Sequence, residues 1–169
     1  MRRGQILGQV FILILAAVIF ILILVYGYRA ISQFTKRSEQ VALVDFENQF
    51  RNAAKSISLD FGSVKRLDLR VPAAQEICVM CTPGLDVAGC SPSQQSMVDF
   101  QQDHPLLYES WQGGSQNVFL IPLAETPLLI ERIEAVGGAF CMPVVGGSVS
   151  LRLEGRGDRA LVGPWPTVA

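Results

Sequence analysis

The sequence predicts an α+β protein, in which a long N-terminal helix with a transmembrane start and an amphipathic continuation packs on a mainly antiparallel β domain. Three observations predict it. No side chain from Gln5 to Tyr28 is charged, and Val10–Val25 is an unbroken apolar run. Beyond it, Leu43, Phe46, Phe50, Ala53, Ala54 and Ile57 recur at spacings of three and four, one stripe of an amphipathic helix. From Arg66 onward, apolar residues alternate with polar ones or gather in strand-length runs between Gly and Pro.

A chain of 169 residues holds one domain and an anchor. The expected division is a membrane-spanning helix with a short basic leader over 1–28, its amphipathic continuation over 29–61, and a β-rich domain over 62–169. The first segment is long enough: about 20 helical residues cross a ~30 Å hydrocarbon core. Arg2 and Arg3 precede the run, and Tyr26, Tyr28 and Arg29 follow it, as at a membrane interface. The run exceeds the roughly 7–15 residues of a secretory h-region and no A-x-A site follows, so a retained helix is expected rather than a cleaved signal. Arg29, Lys36 and Arg37 balance Arg2 and Arg3, so charge alone does not orient the span.

The helix is expected to continue past Tyr28, because no Pro precedes Pro72 and Gly27 is the only Gly between Gly8 and Gly62. Glu47 and Arg51 have the i,i+4 spacing of a helix ion pair, and Asp60-Phe61-Gly62 supplies a stop. The stripe is read as core packing rather than a coiled-coil seam, since no heptad is sustained.

Strands are expected at Val64–Val71, Glu76–Cys81, Asn117–Pro122, Ala139–Val145, Ser148–Glu154 and Ala160–Val162. Gly146-Gly147 reads as a two-residue hairpin turn and Gly155–Asp158 as a second turn. Ser91-Pro92-Ser93 opens a helix through Met97, Val98 and Phe100, and Pro105 opens another through Trp111. The tail Gly163-Pro164-Trp165-Pro166 is expected to be irregular.

Net charge is −1, but it is unevenly spread. Residues 29–70 carry +3 and residues 71–169 carry −6. Nucleic acid is a poor partner for the distal part, and the basic stretch suits lipid headgroups better.

The cysteines, Cys78, Cys81, Cys90 and Cys141, admit three readings: structural disulfides, a four-cysteine zinc site, or free buried thiols. Disulfides are expected, with Cys81–Cys90 closing the intervening loop and Cys78–Cys141 bridging strands. Cys78-x-x-Cys81 ends a strand rather than opening a helix, which argues against a redox dithiol. Disulfides would put the domain outside the cytoplasm and the N-terminus inside.

Catalytic signals are sparse. His104 is the single histidine, set before Pro105 at a turn, and no P-loop, dinucleotide fingerprint, G-x-S-x-G or HExxH motif occurs. Glu131 and Glu134 would share a side if LLIERIEAV were helical, as an exposed face. Arg156-Gly157-Asp158 serves a turn. No cofactor, no metal and no enzymatic role are expected.

Arg2-Arg3-Gly4-Gln5, followed at once by the hydrophobic run, resembles the processing site of archaeal type IV pilin-like proteins with class III signal peptides. That family has a basic leader ending in Gly and a Q-x-S-x-E-x-x-x-L pattern opening the helix. Gln5, Gln9 and Leu13 stand at the Gln, Glu and Leu places, while Leu7 replaces Ser and Gln9 replaces the acid. The resemblance covers the first 25–30 residues. It implies cleavage after Gly4, a mature N-terminus at Gln5, and a lollipop-shaped pilin-like or pseudopilin-like subunit. It also implies self-association or envelope partners through the helix, with Gln9, Ile12, Leu13 and Phe20 as packing candidates. In pilins the acid pairs with a neighbour's terminal amine; Gln9 can accept a hydrogen bond there but offers no ion pair. The alternative function is a single-pass anchored binding domain outside any filament.

Overall fold

The structure is a computed structural model describing residues 3–71, 74–91, 95–122 and 126–166, with side chains from Phe11 onward except at 35 and 36. Helix α1 spans Arg3–Ser58, 56 residues. The chain divides into two compact units, Met1–Val41 and Ala42–Ala169.

In the first unit α1 is apolar over Val10–Val25 and becomes polar from Arg29 onward. Every described side chain from Phe11 to Phe34 is exposed. By length and composition this is a helix able to cross a membrane.

The second unit begins with the remainder of α1, where Phe46, Phe50, Ala54 and Ile57 are buried while Asn48 and Lys55 are exposed. That is the expected stripe, and Phe46 and Phe50 meet edge to face at 6.1 Å. Gly62, at φ 79°, makes the turn after the helix that a side chain would strain.

Among the described residues seven strands follow: β1 (Val64–Arg70), β2 (Glu76–Met80), β3 (Val118–Ile121), β4 (Ile133–Ala135), β5 (Ala139–Pro143), β6 (Ser148–Gly155) and β7 (Ala160–Pro164). Helices α2 (Gln95–Asp103) and α3 (Pro105–Gln112) lie between β2 and β3. Two sheets form, one ordered β1-β6-β7-β4 and one β3-β2-β5. All described pairings are antiparallel except the parallel β4–β7.

Alternation decides which face each strand buries. Ile77 and Val79 of β2 enter a core with Leu69, Leu151, Leu153 and the α1 phenylalanines. Cys78 and Met80 point the other way and pack with Met97, Phe100, Leu107, Tyr108 and Trp111 of α2 and α3. The α2–α3 pair therefore covers one face of the three-stranded sheet, while its other face shares the main core with α1 and the four-stranded sheet. The sheets meet where Thr82 donates its N–H to the Ile133 carbonyl.

Three local expectations are corrected. Gly146 and Gly147 turn the chain with positive φ, but β5 and β6 do not pair as a hairpin; only the Val145–Ser148 bridge joins their ends. Val144 still donates its N–H to Gln75 beside β2, and the glycine turn then carries the chain to the other sheet. LLIERIEAV is not a helix: a turn with Arg132 at φ 57° leads into β4, so Glu131 and Glu134 share no helical face. The Gly163–Pro164 part of the tail extends β7, and Trp165 donates its N–H to the Ser150 carbonyl. Of the expected helix cap, Pro92 and Ser93 lie outside the described residues.

Candidate functional site

Three features carry chemistry: the exposed helix, the cysteines, and the outer face of the four-stranded sheet.

On the helix, Ile12, Leu13 and Phe20 are 67%, 70% and 61% exposed, uncovered by any of the described residues. A continuous apolar surface of that size is larger than a soluble monomer ordinarily exposes, and by length and composition it suits a membrane span. Gly4, Gln5 and Gln9 fall within α1, but side chains there lie outside those described.

The four cysteines form two disulfides, Cys78–Cys141 and Cys81–Cys90. Cys78 and Cys141 are register partners on β2 and β5, with Cα atoms 4.0 Å apart. Residues three apart on a strand face opposite sides, so Cys78 and Cys81 serve different layers. Cys81–Cys90 ties the 3-10 turn Ala88–Cys90 to the end of β2. Its Cys81 carbonyl accepts the Trp111 Nε1–H at 2.7 Å. His104 sits beside Cys78 and Cys141, with ligand atoms within 4.8 Å of one another. Both sulfurs are spent in the disulfide, however, and zinc ligation needs thiolates. Cysteines paired in this way do not make a zinc site. The His104 ring instead rests 5.2 Å from Phe100. Two disulfides fit an oxidising compartment.

The outer sheet face was not singled out by the sequence, because only strand register assembles it. Arg66 donates Nε–H to Asp68 at 2.8 Å and Nη2–H to the Ser150 hydroxyl at 3.0 Å. Ser150 in turn donates to Asp68. The Ser150 hydrogen bond, then the Arg66 hydrogen bond and charge, hold the Asp68 carboxyl below its ordinary value. The Arg66 guanidinium lies 5.8 Å from the Trp165 ring centre, a cation–π contact. Further along, Glu134 accepts from Arg159 Nε at 2.7 Å, which raises the Arg159 pKa. Alternation of Arg66, Asp68 and Arg70 on β1 with Ser150 and Arg152 on β6 is the signal that could have found this surface.

Glu131 and Arg156-Gly157-Asp158 lie in turns at the edges of strands and converge on no common site. Compared with protein-family models, curated proteins and solved structures, the chain matches none.

Proposed function

We propose that this chain is a membrane-anchored structural subunit, pilin-like or pseudopilin-like, of a cell-envelope filament or complex. Its N-terminus is cytoplasmic and its disulfide-bonded domain lies outside. One observation carries the reading. A single helix presents a wholly apolar, uncovered surface over Phe11–Val25 and then contributes Phe46, Phe50 and Ile57 to a folded core. A helix of that kind can exchange lipid for the helices of other copies without disturbing the domain it nucleates. Such exchange rests on packing rather than on hydrophobic transfer, because lipid tails are as apolar as Leu. The basic leader ending at Gly4 supports the same reading, and the two disulfides support the orientation.

Intact mass of the membrane-extracted protein, with site-specific cross-linking at Ile12 and Phe20, tests it. A chain beginning at Gln5 that cross-links into ladders is the expected result. A chain beginning at Met1 that yields no ladder would leave the anchored binding domain as the better reading.

A further inference from the structure

Charge in the domain is segregated along the chain and between surfaces. Residues 71–131 hold seven Asp/Glu and no Lys or Arg. The exposed members on the helix layer are Asp99 and Asp103 of α2 and Glu109 of α3. The outer face of the four-stranded sheet carries Arg66, Arg70 and Arg152, all exposed. The two surfaces lie on different elements and are the positive and negative poles of the domain's charge.

Both poles are built against local stability. Arg66 and Arg152 are direct register partners on β1 and β6, and like charges placed so repel. Asp68 and Glu154 relieve this in part, at 2.8 and 2.9 Å, while Arg70 has no ion pair among the described residues. On the other pole Asp99 and Asp103 are spaced i,i+4, again like charges on one helix face. Asp103 also closes α2, where the helix dipole disfavours an acid. Among the described residues neither Asp103 nor Glu109 has an ion-pair partner. Local choices that conflict with local stability on two complementary surfaces are what a contact between them would offset.

We propose that the Arg66–Arg70–Arg152 sheet face of one copy docks on the Asp99–Asp103–Glu109 helix face of a second copy. This rests on the assembly reading above and assigns its globular contact. Trp165, beside Arg66, gives the basic face an aromatic anchor of the kind that concentrates binding energy. A contact between two different faces is heterologous, so it either closes into a ring or propagates as an open filament. Guanidinium–carboxylate pairs at its rim set orientation and association rate, and the contact weakens with salt.

The full chain in detergent micelles, followed by sedimentation velocity, tests this. Wild type is expected to self-associate at about 50 mM salt and to dissociate at about 500 mM, where the Debye length is only a few ångströms. Arg66→Glu with Arg152→Glu, and separately Asp99→Lys with Asp103→Lys, should each weaken association at least roughly tenfold. Mixing the two variants should restore it, because each then presents the pole the other lacks. The neutral pair Arg66→Gln with Arg152→Gln gives the same loss with less perturbation should a reversal fail to fold. Monomeric wild type at both salts, or association unmoved by reversal, or loss without rescue on mixing, overturns the proposal. Cross-linking at Ile12 and Phe20 in the membrane reads the helix separately. Ladders that persist beside a failed charge exchange would sink this contact alone and leave the assembly reading standing.

Discussion

The buried side chain of Asn117 closes a two-way hydrogen bond with the backbone of Ile130. Its Nδ2 donates to the Ile130 carbonyl at 2.9 Å, and its Oδ1 accepts the Ile130 N–H at 2.8 Å. The Asn117 carbonyl also accepts from Met80, and its N–H donates to Leu128. One side chain thus stands in for a missing strand rung, joining the end of β2 to the segment leading into β4. Asn117→Ala leaves the Ile130 N–H buried without a partner and its carbonyl with the Thr82 hydroxyl alone, at a cost of about 1–3 kcal/mol. Urea unfolding followed by Trp fluorescence should show the lowered midpoint. Asn117→Asp, which loses the donor and buries a charge, should be no better.

The disulfides close loops of very different length, and that difference is testable. Cys78 and Cys141 are 63 residues apart, Cys81 and Cys90 only 9. Constraint of the unfolded chain is then worth about 4 kcal/mol for the first and about 3 kcal/mol for the second. Cys78→Ala with Cys141→Ala should lower the unfolding midpoint more than Cys81→Ala with Cys90→Ala. The reverse order would mean that anchoring of the Ala88–Cys90 turn dominates.

Much of this architecture was legible in the sequence, for a physical reason. Periods of 3.6 and 2 are imposed by burial on one face, so the Phe46–Ile57 stripe and the alternation in β1 and β6 report directly on the core. What was not legible needed information that is not local. The Gly146-Gly147 pair encodes a tight turn but not which sheet the next strand joins. The run through Glu131 and Glu134 is too short to separate helix from strand. Asn117 is a single polar residue at a strand start, and only the fold brings Ile130 to it. The Arg66–Arg152 opposition likewise exists only once register is set. In the N-terminal segment, sequence reads the apolar length directly, because a membrane span is set by length and composition.

Gly155 shows the same limit. Read locally it opens a turn, yet a Cβ there would strike the carbonyl oxygens of Ile57 and Asp60, where α1 ends. Its own carbonyl accepts the Gly62 N–H and its N–H donates to Ser63, each at 2.9 Å. Gly155→Ala should push the β6–β7 turn off the helix end and cost about 2–3 kcal/mol. Gly146→Ala, whose added carbon meets nothing but which sits at φ 60°, should cost less, about 1 kcal/mol. Paired thermal melts distinguish the two.

The Asp68 cluster predicts a pH signature. Ser150, then Arg66, hold this carboxyl below its ordinary value of 3.8. A folded pKa below the unfolded one contributes stability that is full above 3.8 and disappears as pH falls through the folded value. Ser150→Ala removes the largest cause. Wild type should therefore exceed Ser150→Ala at neutral pH, with the gap narrowing as acid protonates Asp68. Unfolding midpoints across an acid titration measure it, and a gap independent of pH would contradict the assignment.

The helix carries two kinds of apolar residue whose substitutions should separate cleanly. Phe50 is fully buried in the domain core, whereas Phe20 is 61% exposed. Phe50→Ala should destabilise the domain by about 3–5 kcal/mol through lost burial and the cavity left behind. It should leave retention in alkaline-washed membranes unchanged, because no residue of the apolar run is altered. Phe20→Arg should do the opposite. A charge near the middle of a span costs about 2.5–3.5 kcal/mol on insertion, so retention should fall while the unfolding midpoint of the domain stays put. Phe20→Leu, equally apolar, should restore retention. A Phe20→Arg chain held in the membrane as firmly as wild type would show that Val10–Val25 is not the segment in the bilayer.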